Sequence, residues 1–184
     1  MQISVLIPCY QAAAYLGEAL QSVFAQSRPP DEIIVVDDGS TDDTASVARE
    51  AGRGVRYQRQ EHAGIAAARN RAVRLASHEL VAFLDADDVW PPSSVADRLA
   101  VLETDPGLGG ASGLVEQFIS PELPDEVRRT LTFVPGASPA RVAGAMLLRR
   151  ALFDQVGLFQ ARFRVGETID WVARADAAGV RLGT

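Results

Sequence analysis

The chain has 184 residues, 47% hydrophobic and 23% charged, with 18 basic against 24 acidic side chains and a formal net charge of −6. That length folds as one domain without a stabilising metal or disulfide, the single cysteine, Cys9, rules out an internal disulfide and a Cys-rich zinc site, and no apolar run reaches the roughly 18 to 20 residues of a membrane span. Every basic residue is arginine, which excludes reactions that need a lysine at a P-loop, in a pyridoxal Schiff base or beside a dehydrogenase tyrosine, and the acidic balance argues against nucleic acid as a partner.

In chain order, ISVLI (3–7), EIIVV (32–36), VRY (55–57) and LVAFL (80–84) read as buried strands rich in β-branched and aromatic residues. Between the first two, Tyr15, Leu16, Ala19, Leu20, Val23 and Phe24 fall on one face of a helix closed by Pro29-Pro30. Ser40 and Thr41, followed by two aspartates, start a second helix with Val47 and Ala48 inward and Gly52 as its stop. An alanine-rich helix runs from Ile65 to Ala76, and Pro91-Pro92 introduces another that carries Val95, Leu99 and Leu102 and stops near Asp105. GLGGASGLVEQFIS (107–120) reads as a strand with loose edges, and VAGAMLL (142–148) as a buried strand or tight hydrophobic pass. A short helix over Arg150 to Val156 and a last one from about Glu167 to Ala178 follow. This alternation predicts an α/β fold: a mostly parallel, Rossmann-like sheet with helices on both faces, in a single domain. The first residues, MQISVLIPCY, lack the basic start of a signal peptide, so a cytoplasmic protein is expected.

In such a sheet ligands sit beyond the carboxyl ends of the strands, which here are Pro8-Cys9-Tyr10, Asp37-Asp38-Gly39-Ser40 and Asp85-Ala86-Asp87-Asp88. Asp85 and Asp87 can together reach one hard divalent cation and its phosphate ligands, or Asp87 or Asp88 merely caps the turn or the following helix. Asp37 and Asp38 could accept hydrogen bonds from a ribose or a pyrimidine imide, or cap their own turn. The mutual repulsion of two aspartate-rich turns on one edge favours a metal site. In the run His62 to Asn70, Gly64 lets backbone amides approach a phosphate and Arg69 offers a fork of donors, although on these residues alone a small-residue helix packed close on the sheet with a solvated Arg69 is the better reading. His62 and His78 read as surface residues, and Trp90, Phe118 and Trp171 as sugar-stacking surfaces or core and turn aromatics.

The ordered series VLIPCYQAAAYLGEALQSVFAQ, EIIVVDDGSTDDT, HAGIAAARNRA, LVAFLDADDVWPP, GAMLLRRALFDQVGLF and GETIDWVARADAAGV resembles the family 2 glycosyltransferases, which have the GT-A fold. The resemblance implies an inverting, Mn²⁺- or Mg²⁺-dependent enzyme that moves a sugar from a nucleoside-diphosphate donor, often UDP-linked, to an acceptor hydroxyl on a glycan, lipid or small molecule. It implies a donor half at about residues 1–105 and an acceptor half at about 106–184, with acceptor contacts between Ser112 and Arg164. Pro8 and Tyr10 would line the nucleobase pocket, Asp38 or, second, Asp37 would accept from the base, and Arg69 would sit near base and pyrophosphate. Asp85 would lie near the ribose and Asp87 would bind the metal.

Two departures stand out. Thr168 occupies the position of the family's proton-accepting aspartate, which leaves Glu167 as the first alternative and Asp170 as the second, Asp170 also being placed to pair with Arg174 at i,i+4. The family usually continues beyond the equivalent of Thr184 into a strand and a basic, His-containing segment, so a truncated acceptor half is expected. Both departures leave room for a nucleotide-sugar-binding module with little transfer activity. A sugar-phosphate nucleotidyltransferase ranks below it, since PCYQAAAYL lacks a basic glycine-rich loop.

Overall fold

The computed structural model describes residues 1–52, 54–120, 123–132 and 136–184. The elements are β1 (Ile3–Cys9), α1 (Leu16–Phe24), β2 (Glu32–Asp37), α2 (Thr44–Glu50), β3 (Val55–Arg59), α3 (Ile65–Leu75), β4 (Leu80–Phe83) and α4 (Ser94–Thr104). The second half contributes β5 (Gly110–Ser112), β6 (Leu114–Val115), α5 (Asp125–Arg128), β7 (Ser138–Pro139), β8 (Met146–Arg149), α6 (Leu152–Gln155), α7 (Glu167–Ala177) and β9 (Leu182–Gly183).

Seven strands form one sheet in the order β3-β2-β1-β4-β8-β5-β9, and β6 and β7 form a separate two-stranded ribbon. β3, β2, β1 and β4 are parallel, β5 and β9 are parallel to each other, and β8 runs antiparallel to both its neighbours. This is the mostly parallel α/β sheet read from the sequence. Side-chain alternation explains the two cores. Ile3, Val5, Ile7, Ile33, Val35, Leu80 and Ala82 pack with α1, α2 and α4, whereas Leu6, Ile34, Val36, Val81 and Phe83 pack with α3, α6 and α7.

Several boundaries shift for identifiable reasons. Tyr15 and Phe24 are exposed, and α1 buries the narrower stripe Leu16, Ala19, Leu20 and Val23. α2 starts at Thr44 rather than at Ser40, because the Ser40 hydroxyl and the Thr41 amide bond Gln11 instead. The 107–120 stretch divides at Gly113 into β5 and β6, which belong to different sheets, and 142–148 divides into a 3₁₀ turn over Ala143–Ala145 and β8. Gly110 is needed where it stands: a Cβ there would lie 2.6 Å from Leu148 Cδ2 and 2.7 Å from the Leu147 carbonyl oxygen of β8.

The strand order reverses beside β1, which has β2 on one side and β4 on the other. A crevice at the carboxyl ends of these strands is the expected consequence.

Candidate active site

A cavity of about 490 Å³ opens there, walled by the end of β1 and the turn after it (Pro8 to Ala12) and by residues that follow β2 (Asp38) and β4 (Asp85 to Asp87), with the start of α3 between them. Gln11 holds the β1 turn. Its backbone adopts φ 51°, uncommon for a residue with a side chain, and is fixed by the Ser40 hydroxyl on its amide and by the Thr41 and Asp42 amides on its side-chain oxygen.

The two aspartates after β2 do different work. Asp37 is fully buried and accepts from the Ser40 amide at 2.8 Å and from the Tyr57 hydroxyl. Burial acts to raise its carboxyl, but those hydrogen bonds and the Arg59 charge prevail and hold it below the usual carboxylate range. Burial first, then the Asp37 bond and charge, push the Tyr57 hydroxyl up to about 12. Asp38 faces the cavity, and both its oxygens are occupied: Oδ1 accepts from Gln60 (2.7 Å) and the Ala63 amide (2.9 Å), and Oδ2 accepts from the Gly64 amide (2.8 Å). His62 Nδ1 lies 3.0 Å from the Asp38 carbonyl oxygen and 2.9 Å from Oδ2, and together these contacts shape the turn into α3. They also fix the His62 ring, which stacks on Tyr10 with centroids 4.3 Å apart. Gly39 makes the close approach possible, with φ +86° and a would-be Cβ 3.0 Å from the His62 amide nitrogen.

At the other wall Arg69 of α3 is buried and bridges two elements. Its Nη2 donates to Asp85 Oδ1 at 2.7 Å, and its Nη1 to Glu167 Oε1 and to the Thr168 hydroxyl (3.2 Å) on α7. Asp87 is exposed and has no hydrogen-bond or ion-pair partner among the described residues. Burial, then the charges of Asp85 and Asp87, push the neighbouring Asp88 carboxyl up to about 6. No three His, Cys, Asp or Glu side chains converge among the described residues, so a cation here would take one or two hard oxygens from the chain and the rest from a ligand. An unpaired carboxylate in a like-charged turn fits that donor set. Burial, followed by the charges of Asp37, Asp42 and Asp38, pushes the Cys9 thiol up to about 12, which removes it as a nucleophile.

Residues 4–157 match the model of the family Glycosyl transferase family 2. The chain belongs to that family. It is 35% identical over 206 aligned positions, 97% of this chain and 58% of the relative, to the succinoglycan biosynthesis protein ExoU of Rhizobium meliloti (strain 1021). It is 38% identical over 107 positions, 53% of this chain and 40% of the relative, to TuaG of Bacillus subtilis (strain 168), a glycosyltransferase named for teichuronic acid biosynthesis. The mannosyltransferase PcManGT from Pyrobaculum calidifontis, solved with GDP-Man and Mn²⁺, superposes with a TM-score of 0.75 at 27% identity, over all of this chain and 54% of that one. S. aureus TarS 1-349, solved with UDP, gives a TM-score of 0.71 at 22% identity over 93% of this chain and 54% of that one, a likeness of fold. The domain therefore has the GT-A fold, and it spans about half the length of these relatives.

In this family 2 domain the cavity gathers Pro8, Tyr10, Asp38, Arg69, Asp85 and Asp87, all named from the sequence. Asp37 lies behind the wall. The two carboxylates offered as proton acceptors do not line the cavity: Glu167 is 8% exposed and paired with Arg69, and Asp170 is paired with Arg174 at 2.9 Å, the i,i+4 contact read as its alternative. Arg174 also donates to the Val156 and Leu158 carbonyls. Trp90 and Trp171 are core residues, and Phe118 is exposed. Sequence reasoning missed several lining residues, among them Gln11, Tyr15, which it placed on the inward face of a helix, His62, which it read only as a surface residue, and Arg164, which it did not single out at all. A stack between positions 10 and 62 leaves no spacing signal, and Arg164 stands in a segment without periodicity. Within the expected acceptor stretch, positions 121, 122 and 133–135 lie outside the described residues. No helix among the described residues is long and apolar enough to cross a membrane.

Proposed function

We propose that this domain transfers a sugar, with inversion at the anomeric carbon, from a nucleoside-diphosphate donor to an acceptor oxygen, with UDP as the first donor nucleotide to test. The observation that carries the reading is the convergence of the Tyr10–His62 stack, the Arg69–Asp85 pair and the unpaired Asp87 around one cavity at the strand reversal. A nucleobase, a ribose and a diphosphate need such surfaces in that order. The fold shared with PcManGT, solved with GDP-Man and Mn²⁺, supports the same reading.

In this proposal the base lies between Pro8 and the ring of Tyr10, which is 51% exposed and buttressed by His62. Asp38 acts by fixing the 62–64 turn, since its own oxygens are already committed. Asp85, oriented by Arg69, faces the ribose. Asp87, with Asp85 in the same turn, would hold Mn²⁺ or Mg²⁺, and a cation bound there would neutralise charge on the departing diphosphate in a chain that has no lysine. Residues from about 106 onward would meet the acceptor.

A second reading, a donor-binding module with little turnover, is favoured by Thr168 and by the ion pairs that engage Glu167 and Asp170. Calorimetric titration with UDP, GDP, dTDP and CDP, each with Mn²⁺ and again with EDTA, tests the donor site. Metal-dependent binding of one diphosphate is expected, and binding of none sinks the assignment. Sugar transfer from the matching nucleotide sugar then separates the enzyme from the module.

A further inference from the structure

The run from Ser40 to Thr44, which the sequence offers as a helix start, lies against the turn that follows β1. Three consecutive amides of that turn are each caught by a different side chain of the run. Gln11 donates to the Ser40 hydroxyl at 2.9 Å, Ala12 to the Thr44 hydroxyl at 2.9 Å, and Ala13 to the Asp42 carboxylate at 3.0 Å. The clasp is reciprocal: the Gln11 side-chain oxygen accepts from the Thr41 amide at 2.8 Å and the Asp42 amide at 3.2 Å, and its Nε2 donates to the Thr41 hydroxyl at 3.1 Å. Ser40 is held at its other polar atoms as well, its amide by Asp37 at 2.8 Å and its carbonyl by Arg59 at 3.1 Å. A line of contacts therefore starts on β3 at Tyr57 and Arg59, passes through Asp37 and Ser40, and ends at Gln11.

Gln11 needs that support. At φ 51° it is the single non-glycine residue with positive φ among the described residues, a conformation that glycine or asparagine adopts far more readily than glutamine. Its own preference would return it to negative φ and re-aim the chain on either side. The residue immediately before it is Tyr10, which is half-exposed at the cavity and whose ring touches His62 by stacking alone. His62 is anchored to Asp38, so one ring of the stack is fixed from β2 and the direction of the other depends on the backbone at Gln11.

We propose that Gln11 is a positioning residue for the donor: clasped to the Ser40–Thr44 run, it holds the β1 turn in the strained conformation that presents the Tyr10 ring to the nucleobase. This rests on the donor site proposed above and adds the device that sets its base platform. It also gives Asp37, sealed behind the wall, a part in that site two contacts removed from the ring. Without the clasp the turn relaxes, the platform has to be rebuilt at each binding event, and the apparent affinity falls by the fraction of molecules in which the turn is formed.

The test is calorimetry with Mn²⁺ and the nucleoside diphosphate that binds in the titration. Gln11→Ala should weaken binding about 10- to 100-fold, the range set by one left-handed residue that is no longer held. Ser40→Ala, which removes one catch, should weaken it about 5-fold. Gln11→Glu keeps an oxygen for the Thr41 and Asp42 amides and should recover part of the loss. A double-variant cycle with Tyr10→Ala separates positioning from general damage to the cavity: once the ring is gone, Gln11→Ala should cost less than about 2-fold more. If Gln11→Ala does not fold, the same cycle run with Ser40→Ala decides the matter. Unchanged affinity in the single variants, or the same loss with and without the Tyr10 ring, would overturn the inference. Failure of the underlying donor reading looks different, as no diphosphate binding by the unaltered chain.

Discussion

Replacing Arg69 by methionine should unfold the domain more easily than any change at the cavity surface. Arg69 is buried and Glu167 is 8% exposed, so the variant leaves a carboxylate without its cation in the interior, a loss of about 3–5 kcal/mol. Asp85, 35% exposed, adds about 1 kcal/mol or less, because water screens it. Against a total stability of roughly 5–15 kcal/mol this is a large share, and it corresponds to a fall in Tm of roughly 6 to 20 °C for a chain of this size. Urea unfolding followed by circular dichroism reads it as a lower midpoint with an unchanged slope. Arg69→Met combined with Glu167→Leu should recover most of the loss, since replacing both partners of a buried pair is far milder than removing one. A single variant that costs less than about 1 kcal/mol, or a double variant no better than the single, would refute the assignment of Glu167 to this ion pair.

Three further outcomes are expected. Asp87→Ala should abolish the metal dependence of diphosphate binding in calorimetry and leave the unfolding midpoint within about 0.5 kcal/mol, because Asp87 is exposed and touches no partner among the described residues. Asp37 is held below the usual carboxylate range when folded, so its stabilisation is present above the unfolded value of about 3.9 and is lost as pH falls through the folded one; Tyr57→Phe should lower stability at neutral pH by about 1–3 kcal/mol and make the acid-side loss shallower in pH-dependent unfolding. Arg98→Met should raise the urea midpoint, with a gain of about 1–3 kcal/mol, since Arg98 is 4% exposed, its two Nη atoms have no hydrogen-bond partner among the described residues, burial lowers its guanidinium to about 10, and its stack over Trp90 at 4.5 Å offsets only part of that cost.

The parallel core of the fold was legible because its strands are short apolar runs between turn residues, and a strand buried on both faces needs no other signal. Ile3 to Cys9 has every side chain buried, as does Leu80 to Phe83. The region after Asp105 read poorly because its strands have two to four residues, too few to display a period, and because Gly113 splits one apparent strand between two sheets. At the site, residue types at strand ends were readable and their occupancy was not. Nothing in Asp37-Asp38 says that one carboxylate is sealed behind Tyr57 while the other faces the cavity and organises the 62–64 turn. Those partners lie some 20 residues away, on β3 and at the start of α3, and single-sequence patterns carry no information on such contacts.

The role of Arg69 connects these observations. Thr168 by itself is a buried hydroxyl at the start of α7. With the guanidinium fork in place, one nitrogen of Arg69 serves the turn after β4 and the other serves the start of α7, so the two walls share one buried cation. A lysine's single ammonium could not span those groups in fixed directions, whereas a planar fork can. Asn70, the next residue of α3, pins the segment that carries Arg164. The first turns of one short helix therefore set the position of Asp85, engage Glu167 in a buried ion pair, and anchor the segment that carries Arg164 into the cavity.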